Sequence, residues 1–452
     1  MNVNRREFLG MSMALAALSG CKSPFGERRW YKGLFHCHLL WSDGRAFPEQ
    51  VVDWYRSHGY NFLGISDHNQ FQDDPAMWAA VDGKKGWRHV TREIFDHYRT
   101  AFPDAETRTG EDGVTQARLR TYKELCQRFD VPGAFAMLPA TELTHNTVAA
   151  DGVKHDVHMN LVSVPGVPAS YLAPDFKPGF KGRSVESIIS EKCALSAAFA
   201  KEHGRSHLFV LNHPIWRWYD IGPEALIANP QVRFFEVCNN GAVDAPWLDL
   251  PQDGLDTDRL WDVVNAFRAK RGQPFLYGVG NDDTHYYFGE DKPMLMPGNA
   301  WSRVRARSLD AEDLVFAMTH GDFMACEGIE AEDVAFDRER GELSVAVAGA
   351  PGEARKVTFI VSKRGFDEKP VRTLELTSAK PERKRRVNIY DDRIGQVAKV
   401  VVGKPGEPIH ASYRLAADDL YVRARVESPK VPLCKAPLHP KNACCWTQPY
   451  AV

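Results

Sequence analysis

The sequence predicts an α/β region of parallel strands and crossing helices over residues 30–325, followed by a small C-terminal antiparallel β-sandwich over 331–425. Three observations carry this. Short apolar runs alternate with amphipathic stretches from about Trp30 to Asp322, and those runs end in polar clusters rich in histidine and carboxylate. From about Ala331 the chain changes to short β-prone segments (ELSVAVAG, KVTFIVSK, AKVVVG, LYVRARV) divided by Gly, Pro and charged turns.

Residues 1–21 stand apart from this fold. Paired Arg5 and Arg6 precede Phe8 and Leu9, then the apolar run 11–20, then Cys21. The pattern resembles a twin-arginine export signal ending in a lipoprotein-processing box, which implies a periplasmic or cell-envelope protein that touches the membrane only through a lipidated Cys21. The apolar run has about half of the ~20 residues that a spanning helix needs.

Residues 47–58 (FPEQVVDWYRSH) read as a helix and 61–66 (NFLGIS) as the strand that follows it. The pairing recurs, with helix 184–202 before strand 207–211 and helix 257–270 before strand 275–279. Residues 70–132 interrupt the rhythm with HVTREIFDHYRTAF and TQARLRTYKELCQRF, read as a helical insertion whose charges face in all directions. A solvated excursion is the expectation there, a lid the alternative. The tail 426–452 is rich in Pro and Cys, and its pattern gives no placement.

With 57 basic and 59 acidic residues, the formal net charge of −2 provides no bulk field for nucleic acid or an anionic membrane. A small anionic substrate would have to meet a local patch. Nine cysteines without a C-x-x-C pair argue against a zinc finger or a disulfide-dense scaffold. Cys434 could bridge to Cys444 or Cys445, while buried free thiols are expected for most of the others.

The chemistry lies in six clusters. FHCHLLWSDG supplies His36, His38 and Asp43; ISDHN supplies Asp67 and His68; PATELTH supplies Glu142 and His145. DVHMNLV carries His158, FVLNHP ends in the His213 pair, and GVGNDDTH carries Asp283 and His285. On a strand, the H-x-H spacing points both imidazoles to one face, as two ligands of one ion require. Neutral imidazoles and carboxylates suit Zn, Mn or Fe, and a bridging carboxylate keeps two cations close despite their repulsion. Paired metals acidify a bridging water, which is hydrolytic rather than redox chemistry.

Taken in order, these motifs resemble the PHP (polymerase and histidinol phosphatase) superfamily over roughly residues 30–325, and most of all its secreted members with an appended β domain. The resemblance implies a distorted (β/α)7 barrel and two or three divalent metal ions (Zn, Mn or Fe). His36, His38, Glu142 and Asp283 are then expected on the first ion, Glu142, His158 and His213 on the second, and Asp43, His68 and His285 on a third. It also implies an exported metal-dependent hydrolase using a metal-bridging hydroxide, foremost a phosphoesterase acting on a phosphomonoester or diester. A hydrolase of a carbamate, amide or glycosidic bond and a non-enzymatic metal-binding lipoprotein remain the alternatives.

Around these ligands further roles are expected. Glu142, Asp283 and His285 belong to the catalytic set, joined by His145; His145 and His155 could each contact substrate or act as general acid, with a surface role equally open for both. Arg217 or Arg45 could grip a phosphate in bidentate fashion. Asp67, Asp282 and Glu236 are candidates for orienting metal-bound imidazoles. Trp41, Trp216, Trp218 and Tyr219 form either an apolar or sugar-stacking wall or packing beneath the insertion.

Overall fold

The computed structural model describes residues 28–82, 88–169, 181–215, 219–239, 255–288, 296–377, 384–430 and 442–452. The predicted signal segment, Trp216, Arg217, Trp218 and Cys434 lie outside the described residues.

Strand β1 (Arg29–Leu34) pairs in parallel with β2 (Phe62–Ile65) across helix α1 (Pro48–Ser57). Pro48 opens the helix where a missing N–H costs nothing, and the Gln50 side chain accepts from the Phe47 N–H at 3.1 Å. Val51, Val52 and Tyr55 are buried.

The insertion follows as β3 (Trp78–Val81), β4 (His89–Val90), α2 (Arg92–Ala101), β5 (Thr107–Thr109), β6 (Thr115–Arg118) and α3 (Tyr122–Phe129). It is therefore not purely helical, because its strands form a four-stranded sheet in the order β4-β3-β6-β5. Nor do its helices face solvent all round. Phe95 and Tyr98 of α2 and Leu125 and Phe129 of α3 are buried in the same apolar cluster as Trp41 and Phe47. Thr91 and Thr121 cap the two helices, accepting from Ile94 N and Glu124 N.

Next come β7 (Ala136–Val148), β8 (Lys154–Val162), α4 (Val185–Glu202), β9 (Leu208–Leu211), α5 (Pro223–Ala228), β10 (Phe234–Asn239), α6 (Thr257–Lys270) and β11 (Tyr277–Asn281). Strand β7 is parallel to β2, β8 is antiparallel to both β7 and β9, and β9, β10 and β11 run parallel. The sheet curls until β11 reaches back to β1. There Cys37 and Thr284 form a parallel bridge, His38 N donates to Thr284 O at 2.9 Å, and Asp283 N donates to His36 O at 2.9 Å.

Beyond that bridge, the ladder of the expected (β/α)7 barrel does not continue between β11 and β1 among the described residues. The free edge of β1 is taken along its length by the antiparallel β12 (Ala300–Ala306), so among the described residues the strands do not close into a barrel. After α7 (Ala311–Thr319), β13 (Phe323–Glu327) pairs with β12.

The C-terminal strands are β14 (Asp333–Asp337), β15 (Glu342–Val347), β16 (Lys356–Lys363), β17 (Arg372–Thr377), β18 (Lys384–Ile389), β19 (Gln396–Val402), β20 (Ile409–Arg414), β21 (Asp419–Ser428) and β22 (Ala443–Thr447). The three-stranded sheet β14-β15-β20 packs its Leu343, Val345 and Ile409 in the same apolar cluster as Val357, Phe359 and Val422 of β16 and β21. Two facing layers are thus present, as a sandwich requires. One of them, however, is continuous with the α/β region, because the tail strand β22 sits between β13 and β21 and completes a thirteen-stranded sheet. Cys37, Cys193, Cys238, Cys326, Cys444 and Cys445 are buried free thiols and Cys126 a half-buried one. Among the described residues no helix is long and apolar enough to cross a membrane.

Candidate metal centre

The H-x-H pair continues directly from β1. His36 and His38 are fully buried on one side of the extended chain, while Phe35 before them and Cys37 between them enter apolar clusters. The Ser-Asp-Gly turn then folds back over His38. A Cβ on Gly44 would lie 2.3 Å from the His38 carbonyl oxygen, so only glycine allows that close return and the placement of Asp43 beside the histidines.

His68 follows β2, Glu142 lies on β7, His158 on β8, His213 just after β9, and Asp283 and His285 just after β11. On the β7–β8 ladder Glu142 faces Asn160 and Thr144 faces His158, so Glu142 and His158 share one face of the hairpin. His213 and Asp283 hold φ of 27° and 51° without being glycine. Such conformations cost of order 1–3 kcal/mol each and persist where the surroundings dictate them. Here the His213 N–H is held by Glu236 Oε2 at 2.9 Å and the Asp283 N–H by His36 O.

All nine predicted metal residues come together in one cluster, in three groups whose donor atoms lie within 4.8 Å of one another: His36, His38 and Asp283; Glu142, His158 and His213; and His38, Asp43, His68 and His285. Glu142 is the hub. Its Oε1 lies 3.2 Å from His158 Nδ1, 3.5 Å from His36 Nε2 and 3.6 Å from His213 Nε2. Its Oε2 lies 2.5 Å from His68 Nδ1 and 3.7 Å from His38 Nε2. Asp283 Oδ1 lies 3.1 Å from His36 Nε2 and 3.0 Å from His38 Nε2. Asp43 Oδ1 lies 3.5 Å from both His68 Nε2 and His285 Nε2. His38 belongs to two groups because each of its ring nitrogens faces a different carboxylate.

The donor set suits divalent cations. Burial disfavours charge on Glu142 and on Asp283, yet the surrounding imidazoles hold both carboxyls well below their usual range. Burial likewise opposes charge on His36, but Asp283, Glu236 and Glu142 outweigh it and raise that ring. His38 and His158 are pushed down to about 4, first by burial. Among the described residues, no lysine or arginine forms an ion pair with Glu142, Asp43 or Asp283. Among the described residues the counter-charge on these carboxylates is therefore a proton on histidine, which a metal ion can displace.

A second layer of polar groups fixes the donors. Glu236 Oε1 is 2.6 Å from His36 Nδ1, which leaves Nε2 facing the cluster, as expected of an orienting carboxylate. Glu236 in turn accepts from Asn281 Nδ2 at 3.0 Å and Asn239 Nδ2 at 2.6 Å. Asn212 Nδ2 donates to Glu142 Oε1 at 2.8 Å, and Asn146 Oδ1 meets His158 Nε2 at 2.7 Å. These asparagines were missed from sequence, although Asn212 and Asn281 stand beside His213 and Asp282 in motifs that were quoted.

Other expected roles fall away. Asp67 holds no histidine: it accepts from Leu39 N, Ser42 Oγ and Gln72 Nε2, pinning the loop after His38. Asp282 accepts from the N–H groups of Gly298, Asn299 and Ala300 and from Tyr55, so it anchors the chain before β12. His145 stands on the opposite face of β7 from Glu142 and Thr144, with its Nδ1 3.4 Å from Lys192 Nζ, and joins none of the three groups. His155 is bound by Asp151 and the Asp220 carbonyl. Trp41 is fully buried and donates to Arg120 O, and Tyr219 is buried in an apolar cluster, so neither lines a sugar-stacking wall. Arg45 follows Asp43 with its backbone N–H on the His285 carbonyl at 2.8 Å. Arg217 lies outside the described residues.

No protein-family model and no curated protein matches the chain. Among solved structures, a two-domain protein from Bacteroides vulgatus described as containing a predicted PHP-like metal-dependent phosphoesterase aligns with 96% of this chain and 99% of its own. The identity is 13% and the TM-score 0.39, a likeness too slight to carry an argument.

Proposed function

We propose that the protein is a metal-dependent hydrolase of the PHP type that cleaves a small anionic phosphomonoester or diester. The observation that carries the reading is Glu142, a fully buried carboxylate with nitrogens of five imidazoles within 3.7 Å. A closed structural site needs four ligands, and this cluster offers nine residues in three groups, two of which share His38, with Glu142 facing imidazoles of all three.

His36, His38 and Asp283, with Glu142 beside them, are assigned to one ion, Glu142, His158 and His213 to a second, and Asp43, His68 and His285, with His38, to a third. Divalent ions held there supply Lewis acidity, lowering the pKa of a water and offsetting charge on a substrate oxygen. The chain does the positioning. Glu236 fixes the His36 ring, Asn212 fixes the plane of the Glu142 carboxylate, and the strained backbone at His213 and Asp283 aims those side chains inward. The Asp43, His68 and His285 side chains are the least buried, at 31%, 15% and 18% exposure. Substrate therefore approaches from that side.

Purified protein reconstituted with Mn or Zn should hydrolyse p-nitrophenyl phosphate or its bis ester, and chelation should abolish the activity. Inactivity of the fully metal-loaded protein across a broad phosphoester panel would overturn the phosphoesterase reading. The same proposal places the mature chain in the cell envelope, anchored through a lipidated Cys21. Incorporation of labelled palmitate that persists in Cys21→Ser would refute the anchor.

A further inference from the structure

The C-terminal hairpin β17–β18 meets the α/β region through buried Leu376 and Val387, through Asn388, whose Nδ2 donates to Glu224 Oε1 at 2.9 Å, and through Arg385. Arg385 of β18 is 6% exposed, and its guanidinium lies against four groups there, the most distant being Asp151 Oδ2 at 3.9 Å, which also faces His155 Nε2 at 2.8 Å. Nη1 is 3.1 Å from His155 Nε2, and Nη2 donates to Lys154 O at 2.8 Å and to Asp220 Oδ1 at 3.0 Å. Lys154 and His155 open β8, four and three residues before His158. Asp220 lies on the loop after His213, and its neighbour Ile221 donates its N–H to Pro214 O at 2.9 Å, one residue from His213. His155 Nδ1 closes the triangle on Asp220 O at 2.7 Å.

From this geometry we infer that Arg385 is a positioning residue for the Glu142, His158 and His213 group, holding β8 and the loop after His213 at a fixed separation. The inference rests on the metal-binding reading of that group. His158 and His213 come from different segments, and Glu142 from β7 stands between their nitrogens at 3.2 and 3.6 Å. An ion there tolerates only small changes in donor spacing, since outer groups that hold ligands typically govern metal affinity by about 10–100-fold. A planar guanidinium that donates to a carbonyl and a carboxylate while lying against the His155 ring fixes that spacing in a way an ammonium cannot. The β17–β18 hairpin is thereby part of the centre's construction and not an appendage to it.

The test is metal stoichiometry and affinity of the full chain, measured by elemental analysis after dialysis against Zn or Mn and by Co(II) titration. Arg385→Ala should lose one ion per chain, or bind it about 10–100-fold more weakly, while the remaining ions keep wild-type affinity. Arg385→Lys should restore part of the loss. Val387→Ala serves as the control, because Val387 is buried beneath the same hairpin and its loss loosens packing without touching the tether. It should lower thermal stability and leave metal content unchanged. If Arg385→Ala does not fold, His155→Ala interrogates the same triangle from the β8 side, with the same expected loss.

Wild-type stoichiometry and affinity in the tether variant, or an equal metal loss in Val387→Ala, would overturn the inference. Wild-type protein that binds no metal overturns the metal-centre reading, and the tether with it. Metal-loaded wild type that cleaves no phosphoester overturns the proposed reaction alone.

Discussion

Two buried clusters of charge in this molecule are built from different cations. Around Glu142 and Asp283 the partners are imidazoles, whose charge depends on a proton that can leave. Between α6 and β21 the partners are guanidiniums. Arg423, fully buried, grips Asp262 through Nε at 2.7 Å and Nη2 at 2.6 Å and stands 2.8 Å from Asp258. Arg425 reaches Asp258 at 2.9 Å, and Tyr421 OH donates to Asp262 at 2.8 Å. The second cluster carries its own permanent counter-charge and has no use for an ion. Among the described residues the first pairs its carboxylates with imidazoles and with no lysine or arginine, a donor set that suits a divalent ion. Burial of charge alone therefore does not distinguish function from architecture; the identity of the partner does.

The strongest way to break this contrast is Glu142→Gln, nearly isosteric and uncharged. Loss of the shared carboxylate should lower metal content and cut phosphoester turnover by about three orders of magnitude or more, equivalent to several kcal/mol of transition-state stabilisation. Thermal unfolding should change little, and wild-type turnover in this variant would remove Glu142 from the centre.

Arg423→Ala should do the reverse. Leaving Asp262 buried without its cation costs about 3–5 kcal/mol, read by urea denaturation, with metal content of the folded protein unchanged. A loss below about 1 kcal/mol would show that the pair is not desolvated as described.

Glu236→Gln keeps a hydrogen-bond partner for His36 but weakens its hold on the ring. Metal affinity measured by Co(II) titration should fall by about 10–100-fold, less than for Glu142→Gln.

The smallest effect belongs to the partly exposed carboxylate of Glu124, the N3 residue of α3. Arg118, 2.6 Å away, and then the N–H and hydroxyl of Thr121 lower it to about 2 against the opposing effect of burial. With the folded value below the unfolded one of about 4.3, its contribution is complete above that pH and is lost as pH falls toward 2. Hydrogen exchange of Tyr122–Phe129 should accelerate over that window in the wild type and show no such step in Glu124→Gln.

Local signals made much of this legible from sequence. The helix expected over 257–270 is Thr257–Lys270, and that expected over 184–202 begins after Ser184, which caps it through Ser187 N. These features depend on periodicity and capping within one segment. The insertion's sheet was not legible, because Thr107–Thr109 and Thr115–Arg118 are polar strands without apolar alternation and take their structure from pairing with each other. The placement of His145 depends on a related point: three residues after Glu142 on a strand means the opposite face, which becomes evident only once β7 is seen to extend through both.

The sequence by itself determined which residue types could serve as donors, their order, and the strand spacing that puts His36 and His38 on one side. Those are properties of neighbouring residues and of short-range backbone geometry. Only the tertiary structure decided that Glu142 is the hub, that His38 serves two groups, that β12 pairs along β1, and that β22 and Arg385 tie the C-terminal strands to the α/β region. Each of these is a contact between segments far apart in the chain, and its partner is chosen by packing and by the need to pair buried polar groups, which no local pattern encodes.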